Sequence, residues 1–278
     1  MTALMQPARV LAHWKLSDNP FDIAGKIGAT IALTAGMMQT RDYLVAASGR
    51  GGPSALLGEI GDGKSTALAA AMRLLAKRPR EFLVVKPITL ATDAISAALL
   101  LRLVFEAHGS YLPRSASTAG RLRALIEMVE AVPSQTIMIL DEAQFLGSAA
   151  IRLVKEISDV TPKISVLLVG HARPMEASLR KRDSLDLWRR LECGRILTPP
   201  KLSIADGSLI IGQRREGVLN CPEFSQEVIA ELLAAYPNPL GMLRLAWECL
   251  VAGAIDGMGA IDVRLVRKAS AQVAKAAG

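Results

Sequence analysis

Cysteine, histidine and aromatic side chains are all scarce in this 278-residue chain. Its three cysteines, Cys193, Cys221 and Cys249, are widely spaced and include no C-x-x-C pair, which fits neither a disulfide framework nor a zinc site. They read as ordinary thiols of a reducing cytoplasm, the expected location. Aromatics make up only 4% of residues, too few to build the stacking platform that holds unpaired nucleic-acid strands. The candidate membrane segment, Ile27 to Met38, is too short and is interrupted by Gly and Thr. The N-terminus shows no charged region followed by an uninterrupted apolar one, so no signal peptide is expected. Internal repeats and low-complexity tracts are missing too.

What is present is apolar and basic. Hydrophobic residues make up 51% and charged residues 21%, enough to bury a sizeable core. The length suits one large domain, or a large one with a smaller attachment. A net charge of +7 and a pI near 9.5 are compatible with a polyanionic partner, most simply nucleic acid.

The run Gly58-Glu59-Ile60-Gly61-Asp62-Gly63-Lys64-Ser65, followed by Thr66, matches G-x-x-x-x-G-K-[ST] without a mismatch. It lies between an apolar stretch, Ser54 to Leu57, and an alanine-rich helical one. Glycines let successive backbone N–H groups turn inward around phosphate oxygens. The helix that opens at Lys64 aims unpaired N–H groups and the positive end of its dipole at the same anion. Lys64 then reaches the β- and γ-oxygens, and the Ser65 hydroxyl becomes a ligand of Mg²⁺. The residues therefore predict binding of ATP or GTP.

A second constellation supports that reading. Thr136–Leu140 is a continuous apolar run ending in Asp141-Glu142, the pattern of a strand buried on both faces. Carboxylates at the C-terminal tip of such a strand lie where ligands bind in an open parallel sheet. Asp141 is expected to hold Mg²⁺ through its water shell, and Glu142 to orient and polarise the attacking water.

From about residue 54 the chain alternates apolar strands with longer helices, which implies a parallel sheet covered on both faces. Strands are expected at 54–57, 82–85, 136–140, 164–169 and 195–198. Helices are expected at 64–76, 93–107, 121–129 and 149–158, with a basic helix from about 174 to 191. Pro199-Pro200 then breaks the chain, and helices follow from about 204, 225, 240 and 262. The expected divisions are a lead-in of residues 1–50, without strong periodicity and packed against the nucleotide base, an α/β nucleotide domain of 51–200, and a small helical domain of 201–278.

In this order the motifs resemble the AAA+ ATPases of DNA transposition, the group typified by the phage Mu B protein, TnsC and TniB. The resemblance covers roughly residues 50–270. It is carried by the loop at Gly58 to Ser65, Ile139-Leu140-Asp141-Glu142-Ala143-Gln144, Leu168-Val169-Gly170-His171, Arg189-Arg190, and Gly241-Met242-Leu243-Arg244. It implies a P-loop AAA+ sheet followed by an all-helical lid, with ATP and Mg²⁺ as cofactors. His171 takes the place where the family usually carries a polar sensor residue, commonly Asn. Arg190 takes that of the arginine finger given to a neighbouring subunit's nucleotide, with Arg189 and Arg195 as competitors, and Arg244 that of a second sensor in the lid. Lys86, Arg152 and Lys155 are the implied contacts to DNA phosphates, which carry no sequence information.

The resemblance also implies an activity and partners. The protein would oligomerise with ATP as a ring or helical filament on duplex DNA, without sequence specificity, and recruit or activate a transposase. Hydrolysis would drive disassembly. The Mu B protein carries an N-terminal helix-turn-helix domain that about 50 residues cannot supply, which favours a minimal TniB- or TnsC-like arrangement. Three alternatives stand beside this one: an ATPase of a secretion or envelope-assembly system, a helicase-loader-like ATPase, and a nucleotide-gated scaffold with little hydrolysis.

Overall fold

The computed structural model describes residues 7–22, 33–85, 96–111, 117–181 and 184–277. In chain order its elements are α1 (Pro7–Trp14), α2 (Ala35–Ser48), β1 (Gly52–Gly58), α3 (Lys64–Ala76), β2 (Phe82–Val85), α4 (Ala97–Ala107), α5 (Thr118–Glu130) and β3 (Gln135–Leu140). A 3₁₀ turn (Ala143–Phe145) leads to α6 (Ser148–Val160), β4 (Ile164–His171), α7 (Ala172–Leu179), α8 (Leu185–Glu192) and β5 (Ile196–Leu197). The chain ends in α9 (Ile204–Arg215), α10 (Gln226–Ala235), α11 (Pro239–Asp256) and α12 (Val263–Ala277). Contacts group these into an α/β unit, residues 37–60 and 64–199, and a helical unit, residues up to 36, 61–63 and from 200 onward.

In the α/β unit five parallel strands lie in the order β2-β3-β4-β1-β5. Alternate residues of the central strands feed two separate cores. Leu57, Met138, Leu140, Val166 and Leu168 face a cluster that includes Leu100, Leu125, Val154 and Leu191, from α4, α5, α6 and α8. Leu56, Ile137, Ile139, Leu167 and Val169 face the other, which includes Leu44 of α2 and Leu68 and Leu75 of α3. Burial on both faces explains the unbroken apolar runs. It also fixes register, because a one-residue slip would exchange the two sets.

Among the described strand residues Ser54, Thr136 and Ser165 are polar and buried, and Ser165, at the start of β4, is fully so. Its Oγ accepts from the Gly51 N–H (3.1 Å) and the Gln135 side-chain amide (3.2 Å) and donates to the Ser48 carbonyl (2.7 Å). A buried hydroxyl is tolerated when it is saturated in this way. Here it joins the end of α2 to the N-terminal ends of β1 and β3.

In the helical unit, Ser203 closes a capping box with Asp206 at the start of α9. Ser225 and Asn238 cap α10 and α11, and Gly257, at φ 68°, ends α11 in the left-handed region. The Trp14 indole donates to the Leu250 carbonyl (2.8 Å), and its ring lies against Gly253, where a Cβ would stand 2.5 Å from Cζ2. The first helix thus belongs to this unit's core. Burial, reinforced by the charge of Glu248, pushes the Cys249 thiol up to about 12, so this cysteine is inert packing.

Four details differ from the sequence reading. The lead-in contains two helices, α1 and α2, where weak periodicity gave no expectation of any. The basic helix expected over 174–191 is two helices, α7 and α8. The buried Ser184 hydroxyl donates to the Ser178 and Lys181 carbonyls, closing the first helix just before the second begins. The strand expected at 195–198 is only Ile196–Leu197. The helix expected from 93 begins at Ala97, capped by Ser96, and positions 93–95 lie outside the described residues.

Candidate nucleotide site at the carboxyl edge of the sheet

The strand order decides what meets at this edge. Because β4 lies between β1 and β3, its tip stands between the phosphate-binding loop and the acidic pair. Gly58, the last residue of β1, pairs with His171, and Leu140, just before Asp141, pairs with Leu168. Gly58, Asp141, Glu142 and His171 therefore share one edge, where ligands bind in open α/β sheets.

The loop has the backbone that its sequence demands. Gly61 and Gly63 adopt φ values of 89° and 80°, open to glycine and strained for other residues. Lys64 opens α3, and its ammonium donates to the Gly58 (2.9 Å) and Glu59 (2.7 Å) carbonyls, holding the side chain along the loop. Ser65 is exposed and Thr66 half-buried on the first turn of α3, while Glu59 and Ile60 are exposed and Asp62 is half-buried.

The acidic pair departs from ordinary strand geometry. Asp141 is half-buried, and its Oδ1 accepts from the Glu142 N–H (3.1 Å). Glu142 is left-handed, at φ 53° and ψ 43°, an uncommon conformation for a non-glycine residue and one that clusters at functional sites. Its Oε2 accepts from the Gln144 amide (2.6 Å) and stands 3.8 Å from the His171 Nε2. The Gln144 carbonyl oxygen accepts from the His171 backbone N–H (3.1 Å). Gln144 thus bonds both the carboxylate and the β4 tip. Sequence reasoning quoted it within a motif and gave it no role; the clue was a bifunctional amide two residues after the glutamate.

The basic residues lie elsewhere. Arg190, near the end of α8, pairs with Asp159 and lines a cleft of about 480 Å³ with Arg50, Gly51, Pro53, Cys193 and Arg195. This is the amino edge of the sheet. The length of β1, from Gly52 to Gly58, separates it from the loop, roughly 20 Å at 3.3 Å per residue step. Arg195 is committed to the fold, since its Nη1 donates to the Gly51 (2.7 Å) and Pro53 (3.3 Å) carbonyls. Its own carbonyl accepts from the Ala55 N–H (2.8 Å) and the Tyr43 hydroxyl (2.6 Å). Arg189 is exposed on α8.

Of the expected DNA contacts, Arg152 is exposed on α6, and Lys155 is paired with Asp186 of α8 (2.7 Å), which holds the Asp186 carboxyl below its usual range. Lys86 lies outside the described residues. Arg244 is exposed on α11, within the helical unit. Among the described residues no helix is long and apolar enough to cross a membrane.

Comparison with known proteins adds two findings. A family described as an AAA domain matches residues 48–176, the stretch holding the loop, the acidic pair and His171. The chain is similar in structure to Cdc6p from Pyrobaculum aerophilum, at 20% identity and a TM-score of 0.56, over 93% of this chain and 72% of that one. The fold is an AAA+ fold. The Aeropyrum pernix ORC1 protein, solved in complex with DNA, is similar at 17% identity and a TM-score of 0.54 over 93% and 70% of the two chains. The ORC2 protein of the same organism, in its ADPNP–ADP complexes, gives 21% and 0.51 over 92% and 72%. No curated protein matches. Identities this low establish architecture, and the AAA+ fold accounts for the parallel sheet with helical elements after it.

Proposed function

We propose that this protein is an ATP-dependent, DNA-binding ATPase that oligomerises on duplex DNA and recruits or activates a transposase, with hydrolysis driving disassembly. The observation that carries the reading is the division of charge between the two edges of the sheet. The loop and the acidic pair sit at one edge, and Arg190 lies roughly 20 Å away at the other. An arginine at that remove cannot serve its own subunit's nucleotide. It is suited to serve a neighbour's, which makes the triphosphate an assembly signal.

In this reading Gly58, Glu59, Ile60, Gly61, Asp62, Gly63 and Thr66 bind the triphosphate with Lys64, and Glu142 polarises the attacking water. His171 serves as the sensor that donates a hydrogen bond at the γ-phosphate, and Arg244 senses the γ-phosphate from the lid. Magnesium fits the donor set: the Ser65 hydroxyl and the Asp141 carboxylate are hard oxygen ligands. Among the described residues no cluster of three His, Cys, Asp or Glu could cage a metal. When bound, the ion neutralises charge on the phosphate oxygens.

A duplex DNA partner is supported by the net charge of +7 and by the DNA in the similar ORC1 structure. Arg152, Lys155 and Lys86 are the proposed phosphate contacts, and Lys155 would have to exchange its bond to Asp186. The transposition role rests on the ordered motifs from Gly58 to Arg244. The deciding experiment is electron microscopy with duplex DNA and a non-hydrolysable ATP analogue. Rings or filaments that form only with both would support the reading, and their absence, together with no DNA binding under any nucleotide, would sink it. Transposase capture by the assembled form, tested by co-sedimentation with candidate transposases, separates the transposition role from DNA binding alone.

A further inference from the structure

We propose that Gln144 is a positioning residue that orients the Glu142 carboxylate by anchoring it to the tip of β4; the inference deepens the proposed hydrolysis and rests on it. The two ends of one amide are used for different purposes. Its NH₂ donates to Glu142 Oε2 at 2.6 Å, and its oxygen accepts the His171 N–H at 3.1 Å. The reversed amide would set oxygen against carboxylate and NH₂ against N–H, so the partners fix its orientation.

Nothing else described does this work. The His171 ring is 3.8 Å from the carboxylate, beyond hydrogen-bond range, and Glu142 is half exposed on a left-handed turn. Without the amide, the glutamate side chain would sample several rotamers. Space for the amide is made by Gly170, where a Cβ would stand 2.7 Å from the Gln144 oxygen and 3.3 Å from the Ala143 nitrogen. A side chain at 170 would therefore push the amide oxygen from its place. The carboxylate thereby rides on β4, whose last residue is paired with Gly58 at the start of the phosphate-binding loop. Displacement of that loop has a two-bond path to the group that polarises water.

The test compares wild type with Gln144→Leu, which loses both bonds, and Gln144→Asn, which keeps the amide but is one methylene too short to span both partners. In steady-state ATP hydrolysis with duplex DNA, both variants should lose about tenfold or more in kcat, in keeping with the cost of a misplaced catalytic group. KM and the affinity for a non-hydrolysable analogue should stay within about twofold. In a Glu142→Gln background, Gln144→Leu should add nothing, because its effect passes through the carboxylate. An unchanged kcat, or an equal additional loss in the Glu142→Gln background, would overturn the proposal. A second readout needs no turnover. In amide NMR spectra, Glu142→Ala should shift the His171 N–H resonance when Gln144 is present and leave it unmoved in the Gln144→Leu background. If the wild type hydrolyses no ATP, the proposed function fails, and this coupling still decides the role of Gln144: a His171 resonance indifferent to both substitutions refutes it.

Discussion

The two edges of the sheet are built from the same strands and are chemically opposite. At the carboxyl edge, polar side chains face outward with their bonding only partly internal: Ser65 and Glu142 are exposed, and the one carboxylate bond described for Glu142 comes from another side chain, Gln144. At the amino edge, polar groups are turned inward and consumed by the fold, Ser165 by three partners and Arg195 by two backbone carbonyls. Polar groups left for a ligand mark the first edge, and polar groups that hold strands together mark the second. Arg190 crosses that rule, since it is an exposed cation at the structural edge whose described partner is a single surface carboxylate, Asp159. Exposed pairs of this kind contribute little, about 0–1 kcal/mol, so Asp159 can release it at small cost.

Substitutions at the carboxyl edge should produce the largest effects and leave stability almost untouched. Lys64→Ala is expected to abolish nucleotide binding, measured by titration with a fluorescent ATP analogue, because the cation facing the β- and γ-oxygens is gone. Glu142→Gln should keep that binding and reduce hydrolysis by about a hundredfold or more; hydrolysis at the wild-type rate would show that the water is polarised elsewhere. Arg190→Ala breaks the comparison in the other direction. If this amino-edge residue serves a neighbour, hydrolysis should fall by about 10³-fold while monomer affinity for ATP is unchanged. Mixing it with Lys64→Ala subunits should restore activity, since each supplies what the other lacks. No recovery on mixing would assign Arg190 to the amino edge alone.

The contrast also explains what was legible in the sequence. Strand and helix bounds such as Lys64–Ala76 and Phe82–Val85 were readable because burial on both faces writes continuous apolar runs, and because glycines and a Lys-Ser pair mark the loop. The α1 and α2 helices were not, since α1 is short and the buried face of α2, Met37, Thr40, Leu44, Ala47 and Ser48, has helical spacing but includes two polar residues and an alanine, so it writes no apolar stripe. The break between α7 and α8 was hidden in a charged run with helical spacing, and only Ser184 folding back on two carbonyls reveals it. The structural bonds of Arg195 needed coordinates, because its partners are backbone groups distant in sequence. Gln144 was missed for the same reason: its two partners lie on different strands' ends and meet only when β4 is placed beside β3.

The smallest expected effect on activity, with a clear one on stability, belongs to Ser165. Replacing it with Ala removes the acceptor for the Gly51 N–H and the Gln135 amide and leaves the buried Ser48 carbonyl without the donor it has here. Unpaired buried polar groups cost about 1–3 kcal/mol, and this one sits where β1, β3, β4 and α2 converge. Urea denaturation should therefore show a lower midpoint with an unchanged slope, while ATP affinity stays at the wild-type value because the loop lies at the far end of β1. Ser165→Thr offers the sharper form of the test. It restores the hydroxyl but adds a methyl to a site with no exposure, so it should recover part of the lost stability and none if steric crowding dominates. Should Ser165→Ala instead weaken ATP binding at unchanged stability, the two edges would be coupled through β4, and the division of labour drawn between them would not hold.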